Sequence, residues 1–164
     1  PTEAVWGLGC DPYSYSAVVK ILTLKNRPEH KGVILIACDW QQLAPFTEGL
    51  TGLQLDQLKQ PNSKPTTWLI PHNGAAPDWI VGEHDTLAVR VTAHPLAASL
   101  CRSFGGPIVS TSANPQGFTE ATNSLKVRSY FGHKLDAIAS GSIGSAAAPS
   151  EIRHLLNGKI IRKG

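Results

Sequence analysis

Lys25 and Arg27 are two cations placed just before Pro28, which ends a predicted helix. An arginine can hold a carboxylate or a phosphate with two parallel hydrogen bonds, whereas a lysine acts as a point charge. The pair is therefore a candidate anion-binding site. A solvated helix end would contain the same residues, because cations also stabilise the C-terminal end of a helix. The residue types alone leave both interpretations open.

A run of hydroxyl and amide side chains, Ser110-Thr-Ser-Ala-Asn114, follows a predicted strand. Ligands of open α/β sheets bind at the carboxyl ends of strands, so this run could offer hydroxyl and backbone N–H donors to phosphate oxygens. A serine nucleophile is disfavoured, because the run lacks a G-x-S-x-G turn and no histidine lies nearby in the sequence. An ordinary Ser/Asn turn is the structural alternative.

Arg90 and Arg162 lie inside predicted strands. An unpaired buried charge is costly, so each arginine either pairs with an internal acid or lines a cavity; for Arg90 we favour the cavity. The opening segment 1–9 adds two glycines around a bulky residue, which either let the backbone approach a ligand or simply make a turn. Several cations and many hydroxyls, with no paired carboxylates and no Cys/His pair, predict electrostatic stabilisation of an anion rather than a covalent nucleophile.

The composition is that of a globular chain with a mild basic bias. Its 164 residues suffice for one domain with a sizeable core, and its formal net charge is +3. This charge suits phosphate-rich ligands such as ATP or RNA. No block of like charges occurs, and we expect no aromatic residues to cluster with the basic ones, which disfavours a dedicated nucleic-acid-binding module.

Cysteine and histidine usage predicts neither disulfides nor a protein metal site. Cys10, Cys38 and Cys101 are widely spaced and odd in number, which is typical of a reducing compartment. The six histidines are scattered, with no pair at metal-ligand spacing. No apolar run approaches the ~18 residues of a membrane span, so we expect a cytoplasmic protein with no membrane partner. The chain begins at Pro1 rather than at a methionine.

Strand-like and helix-like segments alternate along the chain, which predicts an α/β fold with some parallel strand pairing. Apolar runs indicate strands at 33–37, 66–70, 86–91, 107–110, 135–139 and 159–162. Capping residues and helical spacing indicate helices from Ser14 or Ser16 to about Leu24, and at 40–44, 49–60, 95–104, 122–131 and 151–156, the last capped by Ser150. In strand 86–91 we expect Thr86, Ala88 and Arg90 on one face.

Six motifs in this order resemble the YrdC/TsaC family of threonylcarbamoyl-AMP synthases, and the similarity covers almost the whole chain. They are PTEAVWGLGCD at 1–11, KNRP at 25–28, LAVRV at 87–91, STSAN at 110–114, PSEIR at 149–153 and IIRKG at 160–164. The resemblance implies a single α/β domain over 1–164, with a twisted mixed or parallel sheet and flanking helices around a large, positively lined cavity. It fits the short bacterial form, without the opening helix and strand that the family has before Pro1.

The resemblance also implies an activity. The family condenses L-threonine, bicarbonate and ATP into threonylcarbamoyl-AMP and pyrophosphate, and a downstream transferase complex moves the threonylcarbamoyl group to an adenosine of tRNA. Mg²⁺ would be carried with ATP rather than held by a protein site. A secondary contact with tRNA is compatible with this interpretation.

The family's functional positions fall on particular residues of this chain. Its Lys-x-Arg and Ser-x-Asn pairs match the catalytic candidates Lys25, Arg27, Ser112 and Asn114. The resemblance, with weaker support for Thr86 and Ser110, implies ATP contacts at Arg27, Lys31, Thr86, Ser110, Asn114, Thr122 and Arg162. Threonine contacts are implied at Arg90, Ser112 and Ser150.

The chain departs from its relatives at three places. Some relatives have a threonine where this chain has Ala4 and a histidine where it has Ile36, both touching threonine, so we expect a differently closed amino-acid pocket. A tryptophan-proline-glycine-proline stretch is replaced by Gln60-Pro-Asn-Ser-Lys-Pro65. Two alternatives stay open: a non-catalytic RNA-binding module, and a carbamoyl-handling domain of the hydrogenase-maturation type.

Overall fold

The computed structural model describes all 164 residues of the chain. Its strands are β1 (Gly7–Leu8), β2 (Ile34–Ala37), β3 (Thr66–Pro71), β4 (Thr86–Val91), β5 (Ile108–Ser112), β6 (Glu151–His154) and β7 (Ile160–Arg162). Its helices are α1 (Tyr15–Lys25), α2 (Gly52–Lys59), α3 (Asp78–Val81), α4 (Pro95–Phe104) and α5 (Ser124–Phe131). Short 3₁₀ turns cover Glu29–Lys31, Ala44–Phe46 and Gly132–Lys134.

All strands join one seven-stranded mixed sheet in the order β1-β5-β2-β4-β3-β6-β7. β2 runs parallel to β4 and β3 runs parallel to β6, while the remaining neighbours are antiparallel. The pairing joins distant parts of the sequence, since Thr66 lies opposite Glu151. The predicted α/β class, with a mixed sheet and flanking helices, is confirmed.

Local signals explain where the helices begin and end. The Ser14 hydroxyl accepts a hydrogen bond from the Ala17 N–H and caps α1, which ends at Asn26 in the left-handed region (φ 52°). α4 begins with Pro95, whose missing N–H costs nothing in a first turn. It ends at Gly105, also left-handed (φ 84°).

The main hydrophobic core and a cleft lie on opposite faces of the sheet. Alternate strand residues, among them Leu35, Val89 and Val109, belong to a core cluster of 24 buried residues that also contains residues of α1, α3 and α5. Residues that alternate with them, such as Ala88, Arg90 and Ser110, line a cleft on the other face. None of the helices has the length and apolar character needed to cross a membrane.

Three predicted elements are wrong. Segment 151–156 contains strand β6 instead of a helix, because its backbone pairs with β3 and β7. Segment 135–139 forms no strand, since none of its backbone groups joins the sheet. The helix expected at 40–44 is replaced by a turn, in which the Asp39 carboxylate accepts from the Gln42 N–H, followed by the 3₁₀ turn Ala44–Phe46. The short helix α3 was not predicted.

Candidate active site

A cleft of about 400 Å³ opens on the sheet face opposite the main core. The opening loop forms one wall, and the segment after α1 contributes Arg27 and Lys31. β4 contributes Thr86 and Arg90, and the end of β5 contributes its hydroxyl side chains. The β6–β7 hairpin closes the cleft with Arg162. Segments from both ends of the chain therefore build one site.

Arg27 is oriented by backbone carbonyls. Its Nε and Nη2 donate to the Gly32 carbonyl at 3.2 and 2.9 Å, and Nη2 also donates to the Lys31 carbonyl at 3.1 Å. Burial lowers the pKa of Arg27 below its usual value. Gly32 has φ 55°, and a Cβ there would lie 2.5 Å from the Val81 carbonyl oxygen, so only glycine fits this turn.

Arg90 is buried, only 8% exposed, and has a single acidic partner. Its Nη2 lies 3.5 Å from Glu3 Oε2, and its buried Nε has no hydrogen-bond partner. Burial lowers the pKa of Arg90, and the charge of Glu3 opposes that shift. Arg90 lines the cleft and also forms an internal ion pair, two arrangements that its sequence position had suggested as alternatives.

Arg162 is fixed against the start of β6. Its Nε and Nη2 donate to the Ser150 carbonyl at 3.2 and 2.7 Å, and the buried Ser150 and Thr67 hydroxyls share a hydrogen bond of 2.8 Å. Burial lowers the pKa of Arg162, and the positive charge of Arg90 lowers it further. The two guanidinium groups therefore repel each other across the cleft, an arrangement that an anion between them would stabilise.

Lys25 lies behind the cleft wall and is 5% exposed. Its Nζ donates to the carbonyls of Ser112 and Asn114, the latter at 2.8 Å, and lies 3.4 Å from Asn114 Oδ1. The Ser112 hydroxyl donates to Asn114 Oδ1 at 2.7 Å. Burial, and then the charge of Arg27, lower the pKa of Lys25 to about 8. These three residues form one hydrogen-bonded cluster that fixes the loop after β5.

The structure brings most of the predicted residues together. Those that line the cleft are Arg27, Lys31, Thr86, Arg90, Ser110, Ser112, Ser150 and Arg162. Lys25 and Asn114 support the wall from behind, whereas Thr122 is exposed and lies outside the cleft lining.

Sequence reasoning assigned no role to Glu3, His84 or Glu120, which also line the cleft. Glu3 lies within the opening motif at 1–11, and this position is a sequence signal for it, whereas no local pattern distinguishes Glu120. Ala4 lines the cleft as expected. Ile36 packs with Ala97 and Cys101 and is not among the cleft-lining residues, so it cannot reshape the cleft directly.

The expectation that no aromatic residues cluster with basic ones is wrong. Phe118 is 61% exposed and packs edge-on against Tyr130, with ring centroids 5.9 Å apart. Lys126 Nζ lies 5.2 Å from the centroid of the same Tyr130 ring. Phe118 also follows the cleft loop, since its carbonyl accepts from Asn114 Nδ2 at 2.7 Å. We call Phe118, Lys126 and Tyr130 the aromatic-basic surface.

Comparison with known protein families identifies the family of this chain. The profile described as Sua5/YciO/YrdC, telomere recombination, matches residues 1–164. The chain belongs to the Sua5/YciO/YrdC family. A relative from Cellvibrio japonicus (strain Ueda107), named threonylcarbamoyl-AMP synthase, is 56% identical over 162 residues, which cover 99% of this chain and 86% of that protein. A relative of the same name from Stutzerimonas stutzeri (strain A1501) is 49% identical, with 99% and 87% covered.

Solved structures of the family agree with the fold. The crystal structure of P. abyssi Sua5 complexed with L-threonine superposes with a TM-score of 0.85 at 29% identity, covering 94% of this chain and 45% of the Sua5 chain. This chain therefore spans just under half of that Sua5 protein. E. coli YciO superposes with a TM-score of 0.82 at 21% identity, covering 100% of this chain and 81% of YciO. The family membership expected from the six motifs is confirmed.

Proposed function

We propose that this chain is an L-threonylcarbamoyladenylate synthase, which condenses L-threonine, bicarbonate and ATP into threonylcarbamoyl-AMP and pyrophosphate for the modification of tRNA. The observation that carries the proposal is the convergence of Arg27, Lys31, Arg90 and Arg162 on one cleft, beside the hydroxyl groups of β5. The names of the relatives from Cellvibrio and Stutzerimonas, and the threonine complex of P. abyssi Sua5, support the choice of reaction.

Threonine would bind at the Arg90 side of the cleft. Its carboxylate needs a cation, and the Arg90 guanidinium lines the cleft in a site of low dielectric, where a charge-assisted hydrogen bond is strong. Ser112 and Ser150 lie on the same cleft and would bind the polar groups of the amino acid.

ATP would bind at the side of Arg27 and Lys31, with Arg162 across the cleft. Arg27 and Arg162 are fixed by neutral carbonyl oxygens, so their positive charges stay available for phosphates. Thr86 and Ser110 would add hydroxyl contacts, and Asn114, held by Lys25, would position the loop around the phosphates. Thr122 could reach the nucleotide only if the loop that carries it moved.

The reaction needs orientation and charge stabilisation rather than a protein nucleophile. The threonine amine adds to the carbon of bicarbonate and water leaves, which gives a carbamate. A carbamate oxygen then attacks the α-phosphorus of ATP, the bond to the β-phosphate oxygen breaks, and pyrophosphate leaves. Negative charge accumulates on the phosphate oxygens, where preorganised guanidinium groups lower the barrier.

Mg²⁺ would enter with ATP. No group of three or more His, Cys, Asp or Glu side chains is placed to hold a metal ion, and the cleft offers only two carboxylates, Glu3 and Glu120. Glu3 is already engaged by Thr92, Ala93 and Arg90, so this sparse set of carboxylates suits a cation that keeps phosphate oxygens and water as most of its ligands. When bound, Mg²⁺ neutralises charge on the leaving pyrophosphate.

Pyrophosphate release tests the proposal. Purified protein is mixed with ATP, Mg²⁺ and bicarbonate, with and without L-threonine, and the product is identified by mass spectrometry. We expect release that requires both threonine and bicarbonate, with L-serine as the matched control substrate. Threonine-independent release, or none from folded protein that binds ATP, would contradict the proposal and favour the carbamoyl-handling alternative.

The aromatic-basic surface supports a secondary contact with tRNA. Aromatic side chains beside cations can stack unpaired bases, and segment 124–134 carries Lys126, Arg128 and Lys134 without any acid. We place the reaction in the cytoplasm, with a threonylcarbamoyl-transferase complex downstream. A Phe118→Ala variant should bind tRNA more weakly in a filter-binding assay while its pyrophosphate release stays unchanged. Unchanged tRNA binding would exclude this surface.

A further inference from the structure

Glu3 is anchored to the two residues that follow strand β4, just beyond Arg90. Its Oε1 accepts a hydrogen bond from the Thr92 hydroxyl at 2.7 Å and another from the Ala93 N–H at 3.1 Å. Two bonds to one oxygen fix the carboxylate relative to the strand that carries Arg90. The second oxygen, Oε2, is buried without a hydrogen bond and lies 3.5 Å from Arg90 Nη2.

Arg90 has little else to hold it in place. Its Nε has no partner, and Arg162 on the same cleft repels it. The side chains of Arg90 and Glu3 are only 9% and 11% exposed, so water and salt screen their mutual attraction poorly. The carboxylate of Glu3 is the one acidic group in a salt bridge with Arg90.

We propose that Glu3 is a positioning residue for threonine recognition: its carboxylate, fixed by Thr92 and Ala93, holds the Arg90 guanidinium in the orientation in which it lines the cleft and can bind the carboxylate of the amino acid. This inference rests on the proposed function. Glu3 acts through Arg90 and does not itself touch the substrate, since its Oε2 is sealed from solvent.

The substitution Glu3→Gln removes the negative charge of Glu3 while keeping the size of its side chain. The glutamine side-chain oxygen can still accept from Thr92 and Ala93, so the loop stays anchored, while the attraction for Arg90 is lost. A role by overall charge alone would have the opposite sign, because removing a negative charge from the cleft strengthens the binding of any anion. The direction of the change in threonine affinity therefore separates positioning from general electrostatics.

Calorimetric binding of L-threonine and of ATP, alongside pyrophosphate release, tests the inference on the full chain. For Glu3→Gln we expect the threonine Kd to rise at least about tenfold, as for loss of a charge-assisted contact. We expect the ATP Kd to stay close to that of the unmodified protein, which shows that the variant is folded, and the thermal midpoint to fall, because the buried Arg90 loses its one carboxylate partner. Glu48→Gln removes the same charge from an exposed position outside the cleft and serves as the matched control.

A double-mutant cycle with Arg90→Lys tests whether Glu3 acts through Arg90. We expect Glu3→Gln/Arg90→Lys to bind threonine about as weakly as Arg90→Lys alone, because residues that act as one unit are not additive. Additive losses, equal losses for threonine and ATP, or unchanged or tighter threonine binding in Glu3→Gln would each overturn the inference. If the unmodified protein bound no threonine and released no pyrophosphate, both the proposed function and the inference about Glu3 would fail. If the unmodified protein turned over normally and Glu3→Gln left threonine binding unchanged, only the inference about Glu3 would be refuted.

Discussion

Three of the basic side chains at the site are held by uncharged oxygen atoms. Arg27, Arg162 and Lys25 all donate to backbone carbonyls, and only Arg90 has a carboxylate partner. A carbonyl orients a cation without cancelling its charge, so the cleft keeps a positive potential that attracts anionic substrates. Because most of its cations are held by carbonyls rather than by carboxylates, the site differs from a salt-bridge network that only stabilises the fold.

Arg90→Ala should weaken threonine binding more than ATP binding. The substitution removes the guanidinium that faces the amino-acid side and leaves Arg27 and Lys31 in place. Loss of a charge-assisted hydrogen bond predicts a rise in the threonine Kd of roughly 10- to 100-fold. Titration calorimetry with each ligand measures both constants, and equal losses for the two ligands would count against the assignment of Arg90.

Lys25 should make stability depend on pH in the alkaline range. Burial lowers the pKa of Lys25 from 10.5 to about 8, so between these values the unfolded chain binds more protons than the folded one. The stability of the unmodified protein, measured relative to Lys25→Met, should therefore rise as the pH increases from 8 towards 10.5. Urea unfolding of both proteins across this range measures the difference. A constant difference would mean that the pKa of Lys25 is not lowered in the folded protein.

At the scale of elements, a strap without regular secondary structure delivers Ser150 to the cleft. Residues 139–149 cross the opening loop, where the N–H groups of Gly144 and Ala146 donate to the carbonyls of Thr2 and Glu3. His94, which caps α4 through Nδ1, contacts the Ser142 carbonyl through Nε2 at 3.0 Å. The strap therefore links α4, the Glu3 loop and the β6–β7 hairpin.

Gly144→Ala should loosen this strap. A Cβ at Gly144 would lie 2.8 Å from the Glu3 carbonyl oxygen and 3.2 Å from its Cα, both backbone atoms that cannot rotate away. Overpacking of this kind costs about 1–3 kcal/mol in the free energy of unfolding. Gly52→Ala is the control, because open space surrounds that helical position and alanine favours helix. Equal stability of the two variants in urea would mean that the strap does not hold the opening loop tightly.

Sequence patterns located the elements whose signals are local, and missed those set by distant pairing. Ser14 and Pro95 mark α1 and α4 by capping chemistry, and the alternation in 86–91 placed Arg90 on the cleft face. Serine commonly caps helices, which is why Ser150 suggested a helix start, but its hydroxyl hydrogen-bonds to Thr67, a residue 83 positions away. No pattern near Ser150 or Glu3 contains such a partner, so β6 and the Glu3–Arg90 pair became visible only with the fold.

At the scale of the molecule, the cleft joins the opening loop, the sheet centre and the last hairpin. Ligands that bridge these parts should stabilise the whole fold. At a hundred times its Kd a ligand adds about 2.7 kcal/mol, which corresponds to roughly 5–11 °C in the melting midpoint for a chain of this size. Thermal scans with ATP and with L-threonine measure the shifts. In Arg90→Ala we expect the shift with threonine to shrink while the shift with ATP persists.

The sheet order also has a consequence during protein synthesis. β3 is translated long before β6, its parallel neighbour, so one edge of β3 offers unpaired N–H and C=O groups in the meantime. At about 5–20 residues per second, the interval between Pro71 and Glu151 lasts on the order of 4–16 s. An edge left open that long invites aggregation of the nascent chain. We therefore expect the yield of folded enzyme to depend on translation speed and on chaperones that shield this strand, even where the finished protein is stable.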